Sequence, residues 1–309
     1  MREKGSHDRS LSSQAVAGRV VELGLLARPL LQNCSRGEII AAFQRSFYAA
    51  IDGGLICMGS LTLSSGPLHV LCDHWPTDAF SVGQSVMVVG TDLNIDGTLL
   101  ADFQSALIWR PDPAPGWSLA SLTIGLQAAD EIWRAMSGDD GLAPLGRSFS
   151  GQPSHLIKAA TPGVDALIRI VECGLRDSVP APADCAAMVG LIGLGPGLTP
   201  SGDDFLLGGL LALDSLGLVE ARNSLWQVCR PHLDRTNEIS RAHLEAAALG
   251  YGAAALHAAV HATIAGRVET LGSALSAVSE IGQTSGRDGF SGALTVLRTV
   301  GQQLAGTPR

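Results

Sequence analysis

The sequence predicts an α+β protein, in which a β-rich N-terminal domain of barrel or sandwich type precedes a mostly helical C-terminal domain. Short apolar runs alternate with tight-turn residues between about residues 37 and 112, as in antiparallel sheets. The proline-rich segment PDPAPG at 111–116 follows as a linker. Beyond it, apolar residues recur at the spacing of helices. We therefore assign residues 1–36 to a partly helical N-terminal segment, 37–116 to the β-rich domain and 117–309 to the helical domain.

The β-rich domain is predicted from the spacing of its apolar runs. The runs are separated by turn-forming sequences such as SGP, DHWP and NIDG. This pattern is typical of antiparallel strands joined by tight turns, either in a barrel or in a sandwich. The predicted strands lie at residues 55–63, 68–72, 85–93 and 99–109.

The helical domain is predicted from alanine- and leucine-rich segments with helical periodicity. An apolar stripe indicates a first helix over residues 118–136. A second helical stretch, 155–176, is expected to break or kink at Thr161-Pro162-Gly163, because proline lacks the N–H that a helix needs. Five or six further helices are predicted, over residues 203–217, 220–233, 235–249, 252–265, 267–281 and 286–304.

Composition limits the class of function. Of the 309 residues, 46% are apolar and 37 are glycine, which indicates a globular chain with close helix contacts. The net charge of −8 argues against nucleic-acid binding, because phosphate binding needs a basic face. No apolar stretch approaches the roughly 20 residues of a membrane span, and the polar N-terminus lacks the apolar core of a signal peptide. Six cysteines without CxxC spacing predict reduced thiols, so we expect a cytoplasmic protein.

One stretch rich in glycine and proline, GLGPGLTPSGDDF at residues 193–205, connects an apolar run to a helix. Its prolines fix φ and its glycines permit positive φ, so it predicts a rigid turn rather than a linker. Ser201 lies where a helix N-cap is expected, and Asp204 three residues later completes an approximate capping box. Free N–H groups at such a helix start, with the hydroxyls of Thr199 and Ser201, predict a binding site for a small anion.

The same stretch differs from two common phosphate sites. It contains no GKS or GKT, so it is not a Walker loop, and GLGPGL lacks the third glycine and the βαβ context of a dinucleotide site. Its two acids leave alternatives open. Asp203 and Asp204 could hold Mg²⁺ through water, or one of them could be a base with a neighbour-raised pKa. The simplest alternative is a well-capped helix entered by a rigid turn.

The start of this helix has a counterpart near the C-terminus. The sequence SGDD at 201–204 is followed 84 residues later by SGRD at 285–288, and at the same offset Gly208 matches Gly292. Both helices therefore begin with similar residues and carry a glycine where another backbone can approach. If the two starts face each other, they enclose one cavity lined by N–H groups, hydroxyls and the side chains of Asp203, Asp204, Arg287 and Asp288.

Two further polar clusters are candidates for the same site. In TNEISRAHL, the side chains of Asn237 and Ser240 are suited to hydrogen-bond an amide or carbamoyl group; the alternative is a solvated helix face capped by Thr236. In QTSGRD, Arg287 is a planar partner for a carboxylate or phosphate; the alternative is an ordinary cap with a surface arginine. Together they would add a cation and amide-binding groups to the anion site.

These motifs resemble one bacterial protein family. GLGPGLTPSGDDFLLG is similar to the signature of the AllH family, which includes a subunit of the oxamate carbamoyltransferase of allantoin degradation. The T-x-x-x-S-x-x-x-L element (Thr236, Ser240, Leu244) and the TSGxDxxxG element at 284–292 also resemble that family. The three motifs lie in the C-terminal half, and the β-rich half resembles the family only in its general pattern.

The resemblance implies a cytosolic transferase subunit in purine-ring catabolism, working with FdrA-like and AllG-like protein subunits. The implied reaction transfers a carbamoyl group between carbamoyl phosphate and oxamate. We assign catalytic roles to Asp203, Asp204 and Arg287, with Arg287 neutralising charge on the leaving oxygens. We expect no cofactor, apart from the Mg²⁺ alternative at the two acids. The substrate-binding assignments are Gly195, Gly197, Thr199, Ser201, Gly202, Asn237, Ser240, Thr284, Ser285, Gly286 and Asp288.

Two alternative functions remain open at this point. In the first, the chain is a non-catalytic assembly subunit, and its glycine-rich loop is a rigid element that docks a partner chain carrying the chemistry. In the second, the chain is a stand-alone enzyme that binds a carboxylate substrate, with a metal ion held by Asp203 and Asp204. Loss of ligand binding on substitution of site residues would distinguish the catalytic interpretation from the first alternative.

Overall fold

A computed structural model of the chain describes residues 18–32, 34–76, 79–136, 138, 140–146 and 152–306. Within these residues, nine strands form the N-terminal part and nine α-helices form the remainder. This confirms the predicted α+β class, with a β-rich part that precedes a helical part. Residues 1–17, which belong to the assigned N-terminal segment, lie outside the described residues.

Eight strands close a barrel in the order β5-β4-β3-β2-β6-β7-β8-β1, because β1 pairs with β5 as well as with β8. The ninth strand, β9, pairs with the C-terminal part of β1. The strands are β1 (Gly18–Gly24), β2 (Arg36–Ala42), β3 (Ser46–Ile51), β4 (Gly54–Ser60), β5 (His69–Cys72), β6 (Ser85–Val89), β7 (Asp92–Ile95), β8 (Thr98–Asp102) and β9 (Leu107–Trp109).

Two Asp-Gly turns set the register of the barrel. Asp52-Gly53 joins β3 to β4, and Asp96-Gly97 joins β7 to β8, each within a two-residue hairpin. All four residues have positive φ, which matches the twist of the flanking strands and which these residue types tolerate. Alternate residues therefore point inward. The barrel core includes Val20, Ile39, Phe47, Met58, Val70, Val88 and Leu93.

The first strand and the parallel strand pairs were not predicted from the sequence. The predicted β-rich domain begins at residue 37, whereas β1 begins at Gly18 and pairs with β5. Among the described residues of the assigned N-terminal segment, only Arg28–Leu30 is helical, as a 3₁₀ turn. The strands were expected to be antiparallel, but β4–β5, β1–β8 and β1–β9 are parallel. Barrel closure by β1 is a non-local pairing, and the spacing of apolar runs does not reveal such pairings.

The predicted helices are present to within a few residues, but the predicted break at Thr161-Pro162-Gly163 is absent. The second helix runs through Pro162, and Gly163 packs so closely that a Cβ there would lie 2.7 Å from Leu191 Cγ. Tertiary packing therefore overrides the helix-breaking tendency of proline.

No helix in the described ranges is long and apolar enough to cross a bilayer. The helices are α1 (Leu119–Met136), α2 (His155–Leu175), α3 (Pro182–Val189), α4 (Ser201–Ser215), α5 (Val219–Cys229), α6 (Glu238–Ala248), α7 (Ala254–Ala265), α8 (Val268–Ser279) and α9 (Ser285–Gly306).

The two helices that begin with the SGxD repeats, α4 and α9, cross in backbone contact. A side chain at Gly208 would overlap the carbonyl oxygen of Gly289, and one at Gly292 would overlap the carbonyl oxygen of Phe205. Residues 205 and 289 are separated by 84 positions, as are residues 208 and 292, so the repeat offset relates the two contacts. The crossing therefore has pseudo-two-fold symmetry. It lies near the N-terminal end of each helix and brings the two helix starts together.

The barrel contacts the helical domain beside these helix starts. Ile239 of α6 packs against Leu55 and Leu68 of the barrel side in a small buried cluster. The Ala254 N–H, at the start of α7, donates a 2.8 Å hydrogen bond to the Ser65 carbonyl oxygen. These contacts place the β2–β3 turn and the chain after β4 opposite the starts of α4 and α9.

Candidate functional site

A cleft of about 1130 Å³ lies between the barrel and the helical domain. The starts of α4 and α9 and the glycine-rich loop form its helical side, so the two SGxD motifs do open into a common space. The β2–β3 turn and the outward faces of β3 and β4 form the opposite side. Polar and aromatic residues of that side are Phe43, Arg45, Ser46, Tyr48, Cys57 and His69.

Reciprocal serine–aspartate contacts join the two SGxD motifs. The Ser285 hydroxyl lies close enough to the Asp204 carboxyl to lower its pKa, and the Ser201 hydroxyl does the same for the Asp288 carboxyl. Thr199 adds a hydroxyl whose Oγ1 lies 2.7 Å from Oγ of Ser285. Each motif therefore supplies a serine to the acid of the other, as the symmetric helix crossing requires. We call Thr199, Ser201, Asp204 and Ser285, which all line the cleft, the polar floor.

Asp204 is a buried carboxyl that lines the cleft. Only 7% of the residue is exposed, and no described residue gives its Oδ2 a hydrogen bond. Burial, reinforced by the nearby Asp288 carboxyl, raises the pKa of Asp204 well above its usual value, and the hydroxyls of Ser285 and Thr199 oppose this only in part. A carboxyl with a raised pKa keeps its proton to higher pH, so Asp204 can offer both an O–H donor and an acceptor oxygen.

Asp288, the counterpart of Asp204, is completely buried and does not line the cleft. Its Oδ1 accepts a 2.6 Å hydrogen bond from the Leu142 N–H, and its Oδ2 has no partner among the described residues. Burial raises the pKa of Asp288, and the hydroxyl of Ser201 and the N–H of Leu142 act against that rise. Asp288 therefore orients Ser201 rather than contacting a ligand itself.

Asp203 faces away from the cleft and joins the glycine-rich loop to α6. Its Oδ1 accepts a 2.9 Å hydrogen bond from the Gly193 N–H. Its Oδ2 accepts from the Ser240 hydroxyl at 2.7 Å and from the Thr236 hydroxyl. Both oxygens of Asp203 therefore accept hydrogen bonds within the protein, and Asp203, unlike Asp204, does not line the cleft. In the described parts of the chain, no three His, Cys, Asp or Glu side chains are grouped as metal ligands.

Two other predicted polar groups are used within the protein. Asn237, not Thr236, is the N-cap of α6, and its side-chain oxygen accepts a 3.0 Å hydrogen bond from the Ser240 N–H. Arg287 donates through Nη2 to the Gln283 carbonyl oxygen at 2.5 Å. Neither Asn237 nor Arg287 lines the cleft. Asn237, to which we assigned amide binding, and Arg287, to which we assigned charge neutralisation, therefore both lie outside the cleft.

The start of α4 differs from the predicted capping box. Its N-cap is Pro200, without a side-chain hydrogen bond, and Ser201 is the first helical residue. The N–H groups of residues 202–204 donate to carbonyl oxygens of the preceding loop, at 2.9 to 3.1 Å. In α9 the Gly286 N–H donates to the Ile281 carbonyl oxygen at 3.0 Å. The N–H groups of residues 202–204 and of Gly286 are therefore used within the protein, while the hydroxyls of Thr199, Ser201 and Ser285 and the Asp204 carboxyl line the cleft.

The starts of α4 and α9, and the loop between α3 and α4, lie in a region that matches a known family. Residues 191–297 match the family model of oxamate carbamoyltransferase subunit AllH. This confirms the resemblance stated from the three motifs. The AllH match covers about a third of the chain and includes α4, α6 and the crossing in α9, but it excludes the barrel. Searches of curated proteins and of solved structures found no significant match.

Within the region of the AllH match, the predicted site residues fall into two groups. Gly195 has a φ of +118°, and a side chain at Gly202 would overlap the Leu191 carbonyl oxygen, so these glycines shape the loop without reaching the cleft. The residues that line the cleft are Gly197, Thr199, Ser201, Asp204, Thr284, Ser285 and Gly286. Those that lie away from it are Gly195, Gly202, Asp203, Asn237, Ser240, Arg287 and Asp288.

The residues on the barrel side of the cleft were not predicted from the sequence. Tyr48 Oη lies 3.3 Å from Nε2 of His243, which belongs to α6. Burial raises the pKa of Tyr48, lowers the pKa of His243 to about 4 and lowers that of His69 to about 3, so all three are uncharged at neutral pH. The sequence signal for Tyr48 was the alternation of inward and outward side chains along β3. Phe47 fills the barrel, so Tyr48 must point outward, but the sequence does not show that a helix start lies opposite.

Proposed function

We propose that this chain is a subunit of a carbamoyltransferase-type complex and that its cleft binds the small acid or amide on which the complex acts. The AllH match supports the class of reaction and the existence of partner subunits. From the same resemblance we expect FdrA-like and AllG-like partners. The observation that carries the proposal is the buried Asp204 carboxyl, whose Oδ2 lacks a partner among the described residues and which lines the cleft beside Thr199 and Ser285.

A protonated Asp204 removes the main electrostatic objection to an anion site here. An ionised carboxylate would repel a carboxylate or a phosphate, whereas a neutral carboxyl donates a hydrogen bond to one of their oxygens. Its second oxygen can accept from an amide N–H. The hydroxyls of Thr199 and Ser285 provide further donors close by. This set of groups complements oxamate and carbamoyl phosphate, because each carries an anionic group and an amide.

The residues of the site then take different roles from those first assigned. Asp204 contacts the ligand, Asp288 positions Ser201, and Asp203 positions the glycine-rich loop. Arg45 is the one lysine or arginine among the described lining residues, and it is exposed on the β2–β3 turn. Arg287 does not line the cleft, so we assign the charge-neutralising role to Arg45. No step of this proposal uses a metal ion, since Asp203 and Asp204 point to different places.

Calorimetric titration of the purified chain with oxamate, carbamoyl phosphate and phosphate tests the proposal. We expect at least one of them to bind, and we expect Asp204→Ala to weaken that binding about tenfold or more, as loss of a buried hydrogen bond does. Asp204→Asn keeps a donor and an acceptor, so it should weaken binding less than Asp204→Ala. Asp234→Ala, which removes an exposed carboxyl outside the cleft, is the matched control.

Two outcomes would contradict this proposal. If Asp204→Ala binds as tightly as the wild type, the polar floor is not the ligand site. If none of the three compounds binds to the wild type, the chain does not hold the substrate by itself. The second outcome favours the non-catalytic alternative, in which the glycine-rich loop docks a partner, and a pull-down with wild-type and Leu198→Ala chains would then test whether the exposed Leu198 is part of that contact.

A further inference from the structure

The cleft is much larger than the small acids require. Its volume is about 1130 Å³, whereas pockets for drug-sized ligands are about 300–1,000 Å³. A single water-sized group takes about 30 Å³, so oxamate or carbamoyl phosphate at the polar floor fills only a small part of the space. The remaining volume leaves room for a larger ligand, and its lining indicates the chemistry of that ligand.

Three rings follow one another along one side of the cleft. The ring centroids of Phe43 and Tyr48 are 6.3 Å apart, those of Tyr48 and His243 are 6.0 Å apart, and both pairs meet edge-on. All three residues line the cleft, and Phe43 remains 49% exposed. We call Phe43, Tyr48 and His243 the aromatic wall. A half-exposed aromatic ring that continues a row of rings is a favourable contact surface for another planar group.

The aromatic wall lies within reach of the polar floor. Every residue of the aromatic wall and of the polar floor lines the same cleft of about 1130 Å³. Apolar side chains also line the cleft. They include Leu63, Leu156, Leu198, Leu207, Leu256 and Ile281. One ligand can therefore contact the floor and the wall at the same time.

We infer that the cleft binds an extended amide acid, with its carboxylate or carbamoyl head at the polar floor and a planar, aromatic-sized group against the aromatic wall. This inference rests on the proposed function, which supplies the head group. It changes the expected ligand from oxamate itself to an oxamate-like compound that carries a ring. The ring would gain affinity from the removal of apolar surface from water and from edge-on or offset ring contacts.

Comparison of oxamate with N-phenyloxamate by calorimetry tests the inference. We expect N-phenyloxamate to bind at least about tenfold more tightly, the gain expected from burying part of a phenyl ring. Phe43→Ala should reduce the ratio of the two affinities by at least about threefold. Leu61→Ala should leave the ratio unchanged, because Leu61 is 50% exposed but does not line the cleft. Thermal unfolding of each variant shows that it is folded.

The possible results separate this inference from the proposed function. Equal affinities, or weaker binding of N-phenyloxamate, would overturn the inference and leave the proposed function intact. A gain that survives Phe43→Ala in full would also overturn it, since the ring would then bind elsewhere. If neither compound binds, the inference fails, and the titrations with carbamoyl phosphate and phosphate then decide the proposed function. A gain that is lost in Phe43→Ala and kept in Leu61→Ala supports it.

Discussion

Replacement of Gly208 or Gly292 by alanine is expected to destabilise the protein by about 3 kcal/mol or more, because an added methyl group cannot fit between the crossing helices. In each variant the new Cβ overlaps a backbone carbonyl oxygen of the other helix, which cannot rotate away as a side chain can. The helices must separate, and this opens the core around Phe205 and Phe290, which are fully buried. Urea unfolding of wild type and variants measures the loss.

Gly301→Ala, in the same helix as Gly292, is the matched control. Its Cβ would meet only side-chain atoms at 3.6 Å or more, so helix propensity should make this variant as stable as wild type or slightly more stable. The two crossing variants should lose similar amounts, since the repeat offset relates their contacts. A loss in only one of them, or an equal loss in Gly301→Ala, would contradict the symmetric crossing.

Asp203→Ala is expected to lose about 3 kcal/mol of stability, because buried donors that lose their acceptor remain unsatisfied. Asp203 is 1% exposed, and its loss leaves the Gly193 N–H and the hydroxyls of Thr236 and Ser240 without their acceptor. The glycine-rich loop then loses its attachment to α6, so ligand binding at the polar floor should weaken as well. Chemical denaturation and calorimetry measure the two effects on the same samples.

The control for this variant is Asp184→Ala. Asp184 pairs with Arg169 at 2.8 Å, but the arginine side chain is 50% exposed, so the loss should stay below about 1 kcal/mol. Asp203→Asn keeps one acceptor oxygen and should fall between wild type and Asp203→Ala. If Asp203→Ala is as stable as wild type yet inactive, Asp203 is a catalytic group, as the sequence first suggested, and its structural role is refuted.

Local patterns predicted the helices well and the barrel only in part. Helical periodicity depends on neighbours three and four residues away, so the ranges of α4 and α9 follow from the sequence. Barrel closure depends on β1, which pairs with β5 across more than forty residues, and no local pattern carries that information. The parallel pairs were missed for the same reason.

In the candidate site, too, features set by neighbouring residues were predicted, and features set by distant contacts were not. From the repeat of SGxD at residues 201 and 285 we expected one cavity if the two helix starts face each other, and both starts line the cleft. Ser201 was predicted to cap its own helix, but it faces Asp288, because the helix crossing offers a buried acid that the local sequence does not contain. Tyr48 was missed, since its importance depends on which helix packs outside β3.

The ionisation of Asp204 tests the central claim most directly. The ¹³C shift of its carboxyl carbon can be followed from about pH 4 to about pH 8 in selectively labelled protein, with Asp204→Asn to assign the signal. Because burial and Asp288 raise its pKa, we predict that Asp204 keeps its proton well above the value of about 3.9 found for a free aspartate. Titration near that ordinary value would show an ionised carboxylate in the cleft and would contradict a neutral, hydrogen-bond-donating floor.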